Sequence, residues 1–162
     1  MNCIPAGMVE VLLLLRETFK DYHIKWVLVG STCLALQGID LPAHDIDIIT
    51  NANDAQACNE ILEENLRVPV AWGETANYAS FFGQFSINSI QVEIMGDLQV
   101  WQCGEWVPLV SYLVKPILIK LVGQLIPVSS LKDQLVGYAN SERKKDRDVA
   151  DLIRNALQKK KS

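Results

Sequence analysis

The sequence contains no C-x-x-C pair and no grouping of cysteine and histidine at zinc-binding spacing. Its four cysteines, Cys3, Cys33, Cys58 and Cys103, lie far apart and are expected to be reduced thiols. It also lacks an apolar run able to cross a bilayer. Val11 to Leu15 is followed at once by Arg16, Glu17 and Lys20, and the greasy stretch from Val110 to Val128 is interrupted by Lys115, Pro116 and Lys120. The latter is read as a buried helix. A basic leader and a small-residue cleavage site are missing too, so no signal peptide and no membrane contact are expected, and the expected compartment is the cytoplasm. Nor is there an excess of basic residues. Fifteen Lys and Arg against 19 Asp and Glu leave a net charge of -4, which argues against broad binding to duplex DNA. A nucleotide ligand stays open, because a bound divalent ion reverses the local sign of charge.

What is present fits one compact core. The chain has 162 residues, 49% hydrophobic and 21% charged, which places it among globular proteins and away from disorder. Met8, Leu12, Leu15 and Phe19 recur at helical spacing and predict a helix over residues 8–20. Trp26 to Val29 reads as a short apolar strand ending at Gly30, followed by a small-residue helix with Ser31 as N-cap and Gly38 as stop. His44 to Thr50 reads as a second strand. The next helix is capped by Asn53 or Asp54, with Ala55, Cys58, Ile61, Leu62 and Leu66 on its inner face. Strand patterns return from Phe81 to Ile87 and from Ser89 to Met95, and Leu98 to Leu109 reads as a short hairpin around Gly104. From Tyr112 onward the pattern reads as helical, broken by Gly123 and Pro127. The expected architecture is a mixed α/β (α+β) fold, with a core over residues 1–110 and a helical segment over 111–162.

Three features carry chemistry. In Asp45-Ile46-Asp47-Ile48 the acids alternate with isoleucines, so on a strand both carboxylates share one face. Two neighbouring carboxylates repel unless a cation neutralises them, and such oxygen ligands suit Mg²⁺. A bare D-x-D also occurs at solvated strand ends. Gly30-Ser31 sits where a strand meets a helix, a place where a phosphate can approach free N–H groups, or simply an ordinary turn. Gln91 to Met95 alternates likewise and sets Glu93 apart from Val92 and Ile94. Taken together, the three describe a device in which phosphates rest on the helix start and three acids hold metal ions.

Leu28-Val29-Gly30-Ser31, then thirteen residues, then Asp45-Ile46-Asp47-Ile48 resembles the signature of the polymerase-beta-like nucleotidyltransferase superfamily. Thr32 to Gly38 resembles the helix of its small bacterial and archaeal branches, which include AbiEii-type toxins and the lincosamide and aminoglycoside nucleotidyltransferases. Val92-Glu93-Ile94 resembles the strand of the third acid, and the segment from Pro127 through Asp148 is similar to the helical segment that follows the core. The resemblance implies a nucleotidyltransferase-type mixed sheet flanked by helices. It also implies transfer of a nucleoside monophosphate from a triphosphate such as ATP, with Mg²⁺ or Mn²⁺, to a small-molecule, protein or RNA acceptor. Asp45, Asp47 and Glu93 would ligate metal, Glu93 alternatively serving as general base, and Gly30 and Ser31 would meet the triphosphate.

The sequence departs from this pattern at Leu41-Pro42-Ala43-His44, where relatives often carry an Arg. His44 is the local replacement for that cation, or a structural partner of the neighbouring acid. Lys145, projected with Asp146 onto the inner face of the last helix, is a second phosphate contact, or a residue on the rim of the core. Trp72, Tyr78, Phe81 and Phe82 divide between core and pocket, and a homodimer is expected to cover the apolar surface. The competing reading is a binding module of the same fold, a toxin–antitoxin or regulatory partner with little turnover. A glycosyltransferase D-x-D would leave Gly30-Ser31 unexplained and ordinarily sits in a larger domain.

Overall fold

The computed structural model describes residues 4–109 and 115–161. Helix α1 (Ala6–Asp21) follows Pro5, whose φ of -54° is already helical, and buries Met8, Val11, Leu12, Leu15 and Phe19 along one stripe. It closes with His23 at φ 56°, while Ile24 N–H donates to the Phe19 carbonyl at 2.8 Å and both side chains enter the core. Strand β1 (Trp26–Val29) leads into α2 (Gly30–Leu36). Gly38, at φ 88°, ends α2 in the same way, with Ile39 packed back on Leu34. Then come β2 (Ile46–Thr50), α3 (Ala52–Ile61) and a single 3₁₀ turn. Strands β3 (Leu66–Glu74), β4 (Tyr78–Ile87), β5 (Ile90–Gln102) and β6 (Glu105–Pro108) form successive hairpins. Strands β7 (Ile117–Leu121) and β8 (Gln124–Val128) precede α4 (Leu131–Ala139) and α5 (Lys144–Lys159).

All eight strands join one mixed sheet in the order β3-β4-β5-β2-β1-β8-β7, with β6 paired to β5. The β2–β5 and β1–β8 pairs are parallel, and β1–β2 is antiparallel. One face is filled. Ile46, Ile48, Val92, Ile94 and Phe85 pack with the stripe of α1 and with Ala55 and Cys58 of α3 in a single buried cluster. The opposite face carries only a small cluster of Val27, Val29 and Ile49. A third cluster ties Leu34 and Ile39 to Leu131 of α4 and Ile153 of α5. The mixed sheet flanked by helices is the architecture expected, and among the described residues no helix is long and apolar enough to cross a membrane.

Four local expectations are corrected. The region read as helical from Tyr112 to Val128 is a hairpin where it is described; residues 110–114 lie outside the described residues. Its two-residue turn, Val122-Gly123, has positive φ at both positions, the geometry that matches the right-handed twist of paired strands. Leu66 belongs to β3, not to α3, because Val68, Pro69 and Val70 oppose a helix; β3 is an edge strand, where a proline is tolerated. The cap of α3 is Asn51, whose side chain accepts from Asp54 N–H at 2.8 Å, rather than Asn53 or Asp54. Ser31 does not cap α2; it lies inside the helix, and Val29 holds the cap position without a side-chain bond.

The sheet and α3 meet closely at Gly96. A Cβ there would stand 2.6 Å from the Ala55 Cβ and 2.9 Å from the Asn51 carbonyl. Gly96→Ala is therefore expected to lower stability by about 2 kcal/mol through overpacking. Urea unfolding would show this as a lower midpoint with an unchanged slope, and an unchanged midpoint would mean that α3 yields freely.

Candidate active site

The acids meet because of strand register. Antiparallel pairing sets Asp47 beside Val29, parallel pairing sets it beside Glu93, and Glu93 in turn faces Gln84. Directly paired residues project on the same side of a sheet about 5 Å apart. Asp47 and Glu93 therefore stand side by side on the thinly covered face, while Ile46, Ile48, Val92 and Ile94 fill the other. Asp45 precedes β2 by one residue and acts on the same group. The Asp47 carboxyl is pushed up to about 7, first by burial, then by the charge of Glu93, then by that of Asp45. Glu93 accepts a hydrogen bond from the Gln91 amide at 2.6 Å.

Gly30 makes this crowding sterically feasible. Its φ is 77°, and a Cβ at this position would overlap the Asp47 carboxylate. The first turn of α2 is stitched to the segment entering β2. The Ser31 hydroxyl accepts from His44 N–H at 3.4 Å, and the buried Thr32 hydroxyl donates to the Asp45 carbonyl at 2.6 Å. Of the residues singled out in the sequence, Gly30, Ser31, Asp45, Asp47 and Glu93 are thus gathered at one end of the sheet. His44 joins them through its backbone, and its side chain is exposed. Lys145 does not face inward as projected. It is exposed in the first turn of α5, and only Asp146 of that pair turns toward the sheet.

Four further residues were not found by sequence reasoning in these roles. Thr32 is the tie just described. Gln134 of α4, only 5% exposed, accepts from Gly30 N–H at 2.9 Å. Tyr138, one turn on, is kept protonated by burial and then by the charges of Asp47 and Asp146. Tyr78 is raised for the same kind of reason, burial and then Asp146. No local pattern points to Gln134, since its partner is distant in the chain, whereas the helical spacing of the last helix does place Asp146 on its inner face. Between these helices and the sheet lies a cavity of about 470 Å³ that reaches from Gly30 to Asp146. Tyr78 and Phe82 line it, whereas Phe81 packs on the opposite face and meets Trp72 edge-on at 5.2 Å between centroids.

The donor set is of the chemical type that Mg²⁺ takes. It consists of hard carboxylate oxygens in a crowded array, and no described Lys or Arg forms an ion pair with any of the three. Among the described residues no group of three or more His, Cys, Asp or Glu side chains is arranged to hold a metal ion as it stands. Mg²⁺ sites of this type take their remaining ligands from water and substrate phosphates.

A family model for aminoglycoside-2''-adenylyltransferase matches residues 11–154. Among solved structures, a candidate nucleotidyltransferase from Thermotoga maritima is 30% identical, with 98% of this chain and 97% of that chain covered and a TM-score of 0.81. The lincosamide antibiotic adenylyltransferase LnuA, solved with lincomycin, shares the fold at 16% identity (94% and 98% covered, TM-score 0.61). So does ANT(2'')-Ia, solved with adenylyl-2''-tobramycin, at 11% identity (96% and 92% covered, TM-score 0.59). No curated protein sequence matches the chain.

The crowding of Asp47 has a pH signature. Below the ordinary carboxyl value near 4 both folded and unfolded chains are protonated there; from that point up to about 7 the folded state holds the extra proton, so stability falls as pH rises. Asp47→Asn removes this penalty. In EDTA the variant should match the wild type near pH 4 and exceed it at pH 8 by up to about 4 kcal/mol, at roughly 1.4 kcal/mol per pKa unit. Chemical denaturation at the two pH values measures it, and equal stability at pH 8 would contradict the crowding.

Proposed function

The chain belongs to the aminoglycoside-2''-adenylyltransferase family, and we propose that it transfers a nucleoside monophosphate from a nucleoside triphosphate to the hydroxyl of a small-molecule acceptor. Nucleotidyl transfer is the activity of the family; donor, acceptor and metal are the parts proposed. The observation that carries the reading is the row Asp45, Asp47 and Glu93 packed against a glycine that cannot carry a side chain.

In this reading Asp45, Asp47 and Glu93 would hold Mg²⁺, which would supply charge neutralisation at the phosphates. Gly30 and Ser31 receive the triphosphate on the first turn of α2. The exposed His44 is the proposed hydrogen-bonding side chain at its outer side, where relatives commonly carry an arginine. The acceptor hydroxyl oxygen forms a bond to the α-phosphorus, the bond from that phosphorus to the β-bridging oxygen breaks, and pyrophosphate leaves with the electron pair. Where Asp45 and Asp47 alone hold the metal, Glu93, oriented by Gln91, is the base that would take the hydroxyl proton. Tyr138 stays protonated beside Asp47 and so presents an O–H rather than another negative charge. Catalysis of this kind is chiefly positioning and charge neutralisation.

Titration calorimetry with ATP, GTP, CTP and UTP, with and without Mg²⁺, tests the reading. At least one triphosphate should bind in a Mg²⁺-dependent way, and Asp45→Ala/Asp47→Ala should weaken that binding by at least about 100-fold, roughly 2.8 kcal/mol. A folded wild type that binds none of the four would overturn the enzyme reading in favour of a partner-binding module.

A further inference from the structure

Two buried polar side chains beside Gly30 are unequally served. Gly30 N–H donates to the Gln134 Oε1 at 2.9 Å, and Gln134 is only 5% exposed. A backbone N–H can only donate, so the carboxamide oxygen is the atom held there. Ser129, 1% exposed, has its hydroxyl unpartnered among the described residues. The rest of Ser129 is fixed. Its N–H donates to the Leu28 carbonyl at 3.0 Å, and its carbonyl accepts from the Gln37 amide at 2.8 Å and from the Cys33 thiol at 3.3 Å. Buried hydroxyls are ordinarily hydrogen-bonded, and one left without a partner calls for an explanation.

Strand register places the two groups together. β8 runs parallel to β1 with Leu28 beside Val128, and both fill the apolar cluster that includes the stripe of α1. Alternation then turns the next pair, Val29 and Ser129, to the opposite face, one strand spacing of about 5 Å apart. Val29 is joined directly to Gly30, whose N–H holds the Gln134 side chain. Ser129 also leads into α4, where the Ser130 hydroxyl accepts from Asp133 N–H and the Ser130 carbonyl accepts from Gln134 N–H. The hydroxyl and the carboxamide therefore meet at the same strand end. One is a donor without an acceptor, and the oxygen of the other is an acceptor already in use.

A phosphate resting on Gly30, as proposed above, competes with the Gln134 oxygen for a single N–H. We infer that Gln134 is a positioning residue for the nucleotide and that Ser129 is its second partner: when a phosphate takes the Gly30 N–H, the carboxamide oxygen turns to accept from the Ser129 hydroxyl. One buried hydrogen bond is given up at Gly30 and one is gained at Ser129, so the phosphate contact leaves no orphaned amide oxygen behind. The hydroxyl unpaired in the free state is the one that nucleotide binding pairs. The inference rests on the nucleotidyltransferase reading above.

The test is a double-mutant cycle on the full chain, read by calorimetry with Mg²⁺ and whichever of ATP, GTP, CTP and UTP the wild type binds most tightly. Ser129→Ala should weaken binding about tenfold, the order expected when one buried acceptor is left unpaired. The free Ser129→Ala protein should be at least as stable in urea as the wild type, because the substitution removes only an unpaired hydroxyl. In a Gln134→Met background the same substitution should change the affinity by less than about twofold, since no carboxamide oxygen then needs a new partner. Should Gln134→Met not fold, amide NMR decides: the Gly30 amide and the Gln134 side-chain amide should both shift on nucleotide binding, and the second shift should differ in Ser129→Ala. Unchanged affinity in Ser129→Ala, equal weakening in both backgrounds, a lower urea midpoint for free Ser129→Ala, or a Gln134 side-chain amide that does not respond to nucleotide would overturn the inference. A wild type that binds none of the four triphosphates would instead remove the nucleotidyltransferase reading, and the exchange of partners would fall with it.

Discussion

The structure turns on how closely the Asp47 carboxylate is allowed to approach the backbone at Gly30. The carboxylate is buried, flanked by two other acids and pushed up to about 7, so in isolation the arrangement opposes folding at neutral pH. Its position follows from strand register, which places Asp47 between Val29 and Glu93, and from a positive-φ glycine whose missing side chain leaves the necessary space. The ties from Ser31 and Thr32 hold the entrance to β2 against the same helix turn. A row of acids in such a place is strained electrostatically, and a divalent cation relieves that strain. A net charge of -4 is therefore no obstacle to a polyphosphate ligand, because a bound divalent ion would change the local sign.

The two faces of the sheet divide the labour. α1 and α3 fill one face with a single large apolar cluster, which supplies the rigidity that positioning chemistry needs. The other face is only partly covered, because α4 and α5 are anchored at the side through Leu131 and Ile153 against Leu34 and Ile39. Their inner residues Gln134, Tyr138 and Asp146 then stand over the sheet without filling the space beneath. The cavity exists because the C-terminal helices are held by α2 rather than by the floor.

What could be read in the sequence was what is encoded locally. The Asp-Ile-Asp alternation, the strand ending at Gly30 and the stop at Gly38 each follow from the preferences of a few adjacent residues, and the structure shows β1, the turn and the C-terminus of α2 there. The β7–β8 hairpin was misread because Val122 is a poor residue for a positive-φ turn, which hid the turn between two apolar runs. His23 likewise ends α1 in a conformation usually given to glycine. β3 was missed because Pro69 and the exposed side chains of an edge strand weaken the alternation. Gln134 could not be found at all: its partner Gly30 is 104 residues away, and a glutamine in a helix is ordinarily a surface residue.

That long-range bond links the two parts of the site. In the free protein the Gly30 N–H is taken by the Gln134 side chain, so a phosphate that sought this donor would have to displace a buried amide oxygen. Leaving that oxygen unpaired would be unfavourable. Either α4 shifts to give Gln134 a new partner, or the phosphate uses the other free N–H groups of the first helical turn and Gln134 keeps its place. The first route makes the position of α4, and with it Tyr138 over the cavity, sensitive to what lies on Gly30. In that route the glycine that admits the carboxylate would also link the proposed nucleotide end of the site to the cavity under α4.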